Sequence, residues 1–341
     1  VVVPNLEKDG LVSQILGVPV DDFALELLER EPIPGLRLRT RAVIKAQDGC
    51  DNHCTFCITT IARGAGRSRS AVDVLADVRV ALRGCAQEIV LTGVHLGSWG
   101  KDFLQAASLR YLVQTLLAEA DIPRLRLSSL EPWDIDDTFF SLWQDPRLCR
   151  HLHLPLQSGC AATLQRMARK TTPQSFRRLV QAARAAIPEV AITTDVLVGF
   201  PGESAAEFEQ SLAFVREMNF AGGHVFTYSE RPGTAAARMP GKVPQEVRKQ
   251  RNAVMRQALE LSSAEYQRHF LGKELGVLWE SATELGPSGW QMSGLTDNYL
   301  RVNANAQQGL WNRITPVRLE EGQDTGLFGV ASLPTGVTGK G

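Results

Sequence analysis

The sequence predicts an α/β protein: an open barrel of six strand–helix units, followed by a small all-β barrel. Two observations carry this. Strand-like and helix-like runs alternate six times through the middle of the chain, which argues a parallel sheet with helices packed outside. From Leu271 onward the pattern changes to short strands punctuated by turn residues. Right-handed crossovers curl six units into an open barrel, where eight would close it.

Taken in order, residues 1–33 read as the end of a preceding domain plus a linker, with an acidic helix "DDFALELLER" stopping at the Pro-rich "EPIPG". The open barrel is expected over 34–243. Its strands are "RAVIKAQ" (41–47), "EIVLTGV" (88–94), "RLRLSSL" (124–130), "HLHLPLQ" (151–157), "AITTDVLVGF" (191–200) and "GGHVFTY" (222–228). A helix follows Ser70, where "SAVD" supplies an N-cap with an acid at N3 and Leu75, Val78 and Leu82 form the apolar face. Further helices are predicted over 108–120, 174–187 and 204–218. After Tyr228, "SERPGTAAARMPGKVP" reads as a long surface loop. A connecting helix is expected over 244–268, a β-barrel over 269–333 and a disordered tail over 334–341.

Composition narrows the classes. With 44% hydrophobic and 22% charged residues in 341, a core of normal size is possible. Lys+Arg and Asp+Glu are both 37, so any polyanion must be met by local clusters rather than by a global field. No apolar run reaches the roughly 18 residues of a membrane span. No signal peptide is visible, so the expected compartment is reducing and cytoplasmic. Six cysteines are too few for a disulfide scaffold. Cys85, Cys149 and Cys160 lie beside apolar stretches and are expected to be buried and inert.

The other three, Cys50, Cys54 and Cys57, fall within "CDNHCTFC", spaced C-x3-C-x2-C on the loop that ends the first strand. That edge of a parallel α/β fold is where sites are built. Four thiolates would close a tetrahedral zinc or satisfy every iron of a cubane. Three leave one iron of a [4Fe–4S] cluster open to a small molecule. The alternatives are a zinc site completed by His53, or a structural cluster completed by a distant thiol.

At these residues, with Phe56 before the third cysteine, the chain resembles the radical S-adenosylmethionine (radical SAM) superfamily. "RAVIKAQDGCDNHCTFCITTIARGAGRSRS" looks like its methylthiotransferases. "LTGVHLGSWG", "LRLSSLEP", "HLHLPLQSGC", "RMARKTT", "TDVLVGFPGES" and "HVFTYSERPGTAAARMPG" follow in family order. The closing barrel resembles the RNA-binding TRAM domain. The resemblance implies SAM chelated to the open iron and cleaved to a 5′-deoxyadenosyl radical. It implies a methylthio group placed on C2 of the adenosine next to the anticodon of tRNA. "TGVHLG" looks like the branch acting on threonylcarbamoyladenosine; the isopentenyladenosine and ribosomal-protein branches carry a Gln-containing sequence there. A non-catalytic iron–sulfur RNA-binding protein is the reading from another class. Family members also carry an N-terminal domain with three more cysteines and a second [4Fe–4S] cluster. Here no cysteine precedes Cys50, and "VVVPNLEKDGLV" resembles the end of that domain. The chain is therefore expected to begin late, and to cleave SAM without inserting sulfur. An electron donor such as a flavodoxin or ferredoxin is implied, and no membrane.

The same resemblance nominates cofactor-facing residues. Gly93 is expected to bring backbone close to the SAM methionine, unless it is an ordinary turn glycine. Glu131, Gln157 and Ser158 end strands and are expected at the mouth. Arg169 is expected to fork onto the SAM carboxylate. Asp195, inside a strand, needs a partner such as an arginine or SAM. "GFPGE" offers a turn whose helix N-terminus faces an anion, or plain turn chemistry. Arg63, Arg67 and Arg69 fit phosphate contacts. Trp279, Trp290, Tyr299 and Trp311 offer either stacking surfaces for bases or barrel core. The anticodon loop itself is expected to lid the mouth, held from two sides by the two barrels.

Overall fold

A computed structural model describes residues 40–284, 289–321 and 327–331, with isolated positions 11, 15 and 17. The expectations for 1–33 and 334–341 otherwise lie outside the described residues. In chain order the first half runs β1 (Arg41–Asp48), a short helix α1 (Thr59–Arg63), β2 (Arg67–Ser68), α2 (Ala71–Arg83), β3 (Glu88–Gly93), α3 (Leu109–Glu119) and β4 (Leu125–Leu127). The second half runs β5 (His151–His153), α4 (Ala161–Arg166), α5 (Pro173–Ala186), β6 (Ala191–Val198), α6 (Ala205–Met218) and β7 (Gly222–Thr227). A long helix α7 (Gln245–Arg268) leads to β8 (Glu274–Glu284), β9 (Trp290–Thr296), β10 (Arg301–Ala306), β11 (Ile314–Glu321) and β12 (Leu327–Ala331).

The six expected parallel strands are present. They run β1-β3-β4 and β5-β6-β7, with β2 folded back antiparallel on β1. A single parallel bridge, Leu125 to Leu148, and the Leu130 N–H donating to His153 O at 3.0 Å join the two sheets. Among the described residues β7 and β1 do not pair, so the barrel stays open. Ser70 caps α2 by accepting from the Asp73 N–H, as its sequence predicts. The buried face of α2 is centred on Val74 and Val78, with Leu75 and Leu82 half-buried, one residue round from the expected stripe. Between β4 and β5 the crossover is made by two 3₁₀ turns, Pro132–Asp134 and Phe139–Gln144, rather than an α-helix. Pro132 and the Asp-rich "DIDD" break the helical period, while Phe139, Phe140 and Leu142 still fill the helix layer.

The last five strands close into a barrel, ordered β10-β12-β11-β8-β9. Trp279, Met292, Val302, Val317 and Leu319 are buried inside it. Trp279 is thus core and not a stacking surface, whereas Trp311 is exposed.

This β-barrel docks beneath the open barrel, on the N-terminal ends of its strands. Arg124 donates to the Gly276 and Leu295 carbonyls, Arg126 to those of Thr296 and Asp297, and Arg150 forks onto the Asp297 carboxylate. Tyr299 stacks on His151 with ring centroids 4.1 Å apart and planes 3° from parallel. The cysteine loop lies at the opposite ends of the same strands. The expectation that both barrels grip an RNA loop at the mouth is therefore corrected: one forms the mouth and the other the floor. The reason is the cationic strand starts, which need acceptors that the β9–β10 turn supplies.

Glu88, fully buried at the start of β3, gathers this floor. Its carboxylate accepts two bonds from Arg126, at 2.7 and 3.0 Å, and one from Arg41 at 2.9 Å. Burial by itself would raise the Glu88 carboxyl, but the charges of Arg126 and Arg41 outweigh it and hold it below the usual range. Asp297 is held low in the same way by Arg150. Removing one partner strands a buried charge. Glu88→Ala is expected to cost about 3–5 kcal/mol in chemical denaturation. Carboxyls depressed by folding give stability that is present above their unfolded values and lost as pH falls through the folded ones. The melting temperature should stay flat above about pH 5 and fall below about pH 4, less steeply in the variant.

Candidate active site

The cysteine loop begins where β1 ends. Gly49 has φ +72°, and a Cβ there would lie 1.9 Å from Ala65 O, so only glycine makes the turn. The Cys50 N–H then donates to Gly64 O at 3.1 Å. Gln47, 1% exposed, ties the edge together. Its amide donates to the Asp48 and Gly49 carbonyls at 2.9 and 3.0 Å, and its Oε1 accepts the His95 N–H at 2.8 Å. Thr55 pins the far side, its N–H donating to Met167 O and its hydroxyl to Arg166 O.

All six cysteines are free, and the three in the loop are half-buried. Each of their sulfurs has an N–H donor: Asn52 N–H to Cys50 at 3.4 Å, Thr59 N–H to Cys57 at 3.4 Å, and Arg169 Nη1 to Cys54 at 3.8 Å. Donors aimed at sulfur favour thiolate ligands. Burial raises the Cys54 thiol despite Arg169, whereas at Cys50 bonds from His95 and the Asn52 N–H overcome burial and lower it. Among the described residues, no three or more His, Cys, Asp or Glu gather to hold one metal ion. His53 is exposed. That exposure goes against the zinc alternative, which needs His53 beside the thiols. Three half-buried thiols on one loop, each with an N–H donor, fit a [4Fe–4S] cluster held by three cysteines.

The predicted residues divide. Arg169 and Glu131 come together at the loop, Arg169 forking onto Glu131 at 3.0 and 2.6 Å and donating to Pro155 O at 2.8 Å. Its fork is thus spent on Glu131 rather than held free for a ligand carboxylate, and its guanidinium also lies over the Trp133 ring. Gln157, four residues past β5 and bridged to Val196, is half-buried with φ +68°. Ser158 is buried, and its hydroxyl meets the Cys160 N–H at 3.2 Å and Ser211 at 3.5 Å. It turns into the α6 packing, not to the mouth, because the left-handed Gln157 rotates the chain there. At Gly93 a Cβ would meet Gln47 Cβ at 3.0 Å, so the close approach is to Gln47. Asp195 pairs with His153 at 3.1 Å, not with an arginine. The "GFPGE" turn offers no open anion site. The Gly199 and Phe200 N–H groups both donate to the Glu203 carboxylate, at 2.6 and 3.0 Å. Arg63 pairs with Asp48, and Arg69 with Asp77. Cys149 and Cys160 are buried as expected, but Cys85 is exposed in a left-handed turn at φ +62°.

Sequence reasoning missed Gln47, His95 and Asp134. His95 Nε2 lies 2.5 Å from Asp134, which Lys101 also contacts at 2.7 Å. Burial opposes the charge on His95, but bonds to Asp134 and Cys50 raise it to about 9. "TGVHLG" placed His95 after β3, but the 39-residue separation from Asp134 hid the pair.

The radical SAM superfamily pattern matches residues 44–215, and the chain belongs to that superfamily. Within it the resemblance is to methylthiotransferases. The chain is 40% identical over 245 residues to the threonylcarbamoyladenosine tRNA methylthiotransferase MtaB of Thermotoga maritima, covering 71% of this chain and 56% of that protein. It is 33% identical over 331 residues to tRNA-2-methylthio-N(6)-dimethylallyladenosine synthase of Oceanobacillus iheyensis, covering 96% and 63%. The chain thus spans roughly three-fifths of the length of these relatives. Coproporphyrinogen III oxidase of Escherichia coli, described as a radical SAM enzyme, matches at 13% identity and a TM-score of 0.49 over 90% of this chain and 74% of that one, too loosely to carry an argument. Superfamily enzymes use a [4Fe–4S] cluster and SAM.

Gly49→Ala, which leaves every cysteine in place, should lower iron and sulfide bound after anaerobic reconstitution at least severalfold, read by iron assay and absorbance near 410 nm.

Proposed function

We propose that this chain is the SAM-cleaving and RNA-binding part of a tRNA methylthiotransferase acting on C2 of threonylcarbamoyladenosine next to the anticodon. The observation that carries this is the trio Cys50, Cys54 and Cys57, each sulfur met by an N–H donor, at the C-terminal edge of an open six-stranded barrel. Residues 34–243 are read as the SAM barrel, 244–268 as a connecting helix and 269–333 as the TRAM module. Relatives of two branches match, so the choice of substrate rests on "TGVHLG", whose His95 sits against Cys50 and Asp134. Isopentenyladenosine in tRNA is the second reading, favoured by the relative that covers more of the chain.

When bound, the cluster and SAM supply a carbon radical able to take an aromatic C2–H. The chain's own residues hold and shield. The three thiolates anchor the cluster, and Arg169 with Glu131 sets a neutralised pair beside Cys54. Asp195 faces a cavity of about 580 Å³ inside the barrel, as do Ser128, His153 and Tyr299. Gly93, Gln157 and Glu131 border the proposed SAM site. An anticodon stem-loop is the proposed macromolecular partner, with a flavodoxin or ferredoxin as electron donor. Among the described residues no helix is long and apolar enough to cross a membrane.

The test is nucleoside mass analysis of bulk tRNA from cells lacking the modification, complemented with the full gene that encodes this chain. The expected result is a methylthio form of threonylcarbamoyladenosine, lost with Cys54→Ala. A methylthio mark on isopentenyladenosine instead moves the substrate to the second reading. No new nucleoside with a loaded cluster overturns both.

A further inference from the structure

The barrel interior holds a polar column that neither the cluster nor its neighbours explain. β5 and β6 run parallel in a register that sets His153 beside Thr193. Spacing of two residues then puts His151, His153, Thr193 and Asp195 on one inward face, where all four line the cavity. Thr193 Oγ1 lies 2.9 Å from His151 Nε2 and 2.9 Å from His153 Nδ1. His153 Nε2 lies 3.1 Å from Asp195 Oδ2.

Proton bookkeeping gives this column one direction. Thr193 has a single hydroxyl proton to share between two ring nitrogens. The Asp195 carboxylate can only accept, so His153 donates from Nε2 and, when neutral, leaves Nδ1 as an acceptor. The Thr193 hydroxyl then donates to His153, and its oxygen accepts from His151 Nε2–H. The leftover atom is His151 Nδ1 as a bare lone pair, and it is indeed buried without a partner. The reverse direction would leave a buried N–H orphaned, which costs more than an orphaned lone pair. At the bottom, Tyr299 of the floor module stacks on His151 and lies under Arg126, whose Cζ is 5.2 Å from the ring centroid. At the top, Asp195 Oδ1 is buried and has no partner.

We propose that Thr193 and His153 are positioning residues that hold the Asp195 carboxylate with one oxygen bonded to His153 and leave the other, buried and unpartnered, for a hydroxyl or ammonium donor of bound SAM. The proposal rests on the reading above that Asp195 faces SAM. It also gives the floor module a part in the site, since Tyr299 holds the foot of the column.

The test uses this chain with its cluster reconstituted, and measures the SAM dissociation constant by equilibrium dialysis. Thr193→Val removes the hydroxyl at nearly constant volume and should weaken SAM about tenfold, the scale of one hydrogen bond to a charged group. Thr193→Ser keeps the hydroxyl and should stay within about twofold of wild type. Asp195→Asn should weaken SAM as well. If Asp195→Asn binds normally, the placement of Asp195 against SAM is wrong. If Asp195→Asn binds weakly while Thr193→Val binds normally, the column is wrong and the placement stands. A second measurement does not depend on the variants folding: long-range ¹H–¹⁵N correlation on the wild-type imidazoles. It should show His153 protonated at Nε2 and bare at Nδ1; the opposite tautomer overturns the proposal.

Discussion

Everything at the lower end of this molecule depends on one buried carboxylate. Glu88 sits at the first position of β3 with no water to solvate it, and it draws Arg41 from β1 and Arg126 from β4 onto itself. That sets the starts of the first three parallel strands level. It also orients the rest of Arg126, whose remaining N–H groups point down at the carbonyls of Thr296 and Asp297. A charge buried this way is weak evidence for net stability, but it is specific, because few other arrangements satisfy so many N–H donors at once. Polar directionality at the floor therefore fixes how the β-barrel seats.

The upper end is organised by the opposite need. A cluster-binding loop must hold three thiols apart, so it cannot pack them together as a core would. Gly49 supplies the left-handed turn, Gln47 staples that turn to the chain after β3, and Thr55 fastens it to the helix after β5. The donors at each sulfur come from three places: the loop itself, the start of α1 and Arg169 from beyond α4. His95 adds a further bond at Cys50 and is in turn held by Asp134. The site is assembled from both half-sheets, which among the described residues are joined by the Leu125–Leu148 bridge and the Leu130–His153 hydrogen bond. The interior between the two ends stays open and polar, unlike the filled interior of a closed eight-stranded barrel.

The contrast between expected and observed residues follows from range. The six strands, their order and the principal helices were legible because period-two and period-3.6 patterns are local. The cysteines were legible because their spacing is. Departures cluster where a neighbour distant in sequence decides. Arg169, expected to fork onto the SAM carboxylate, forks onto Glu131, 38 residues away. Ser158 was expected at the mouth and is drawn to Ser211, 53 residues away. For Trp279, which the sequence leaves as stacking surface or core, the barrel around it decides for core.

The sequence by itself determined the strand–helix alternation, the short C-terminal strands and the three-thiol motif, since each is written in residues a few positions apart. Only the tertiary structure decided that the β-barrel is a floor and not a second jaw, that His153 is the partner of Asp195, and that the column from Tyr299 to Asp195 has one direction. Those outcomes depend on which buried donors and acceptors meet across strands, and burial exists only after the chain has folded.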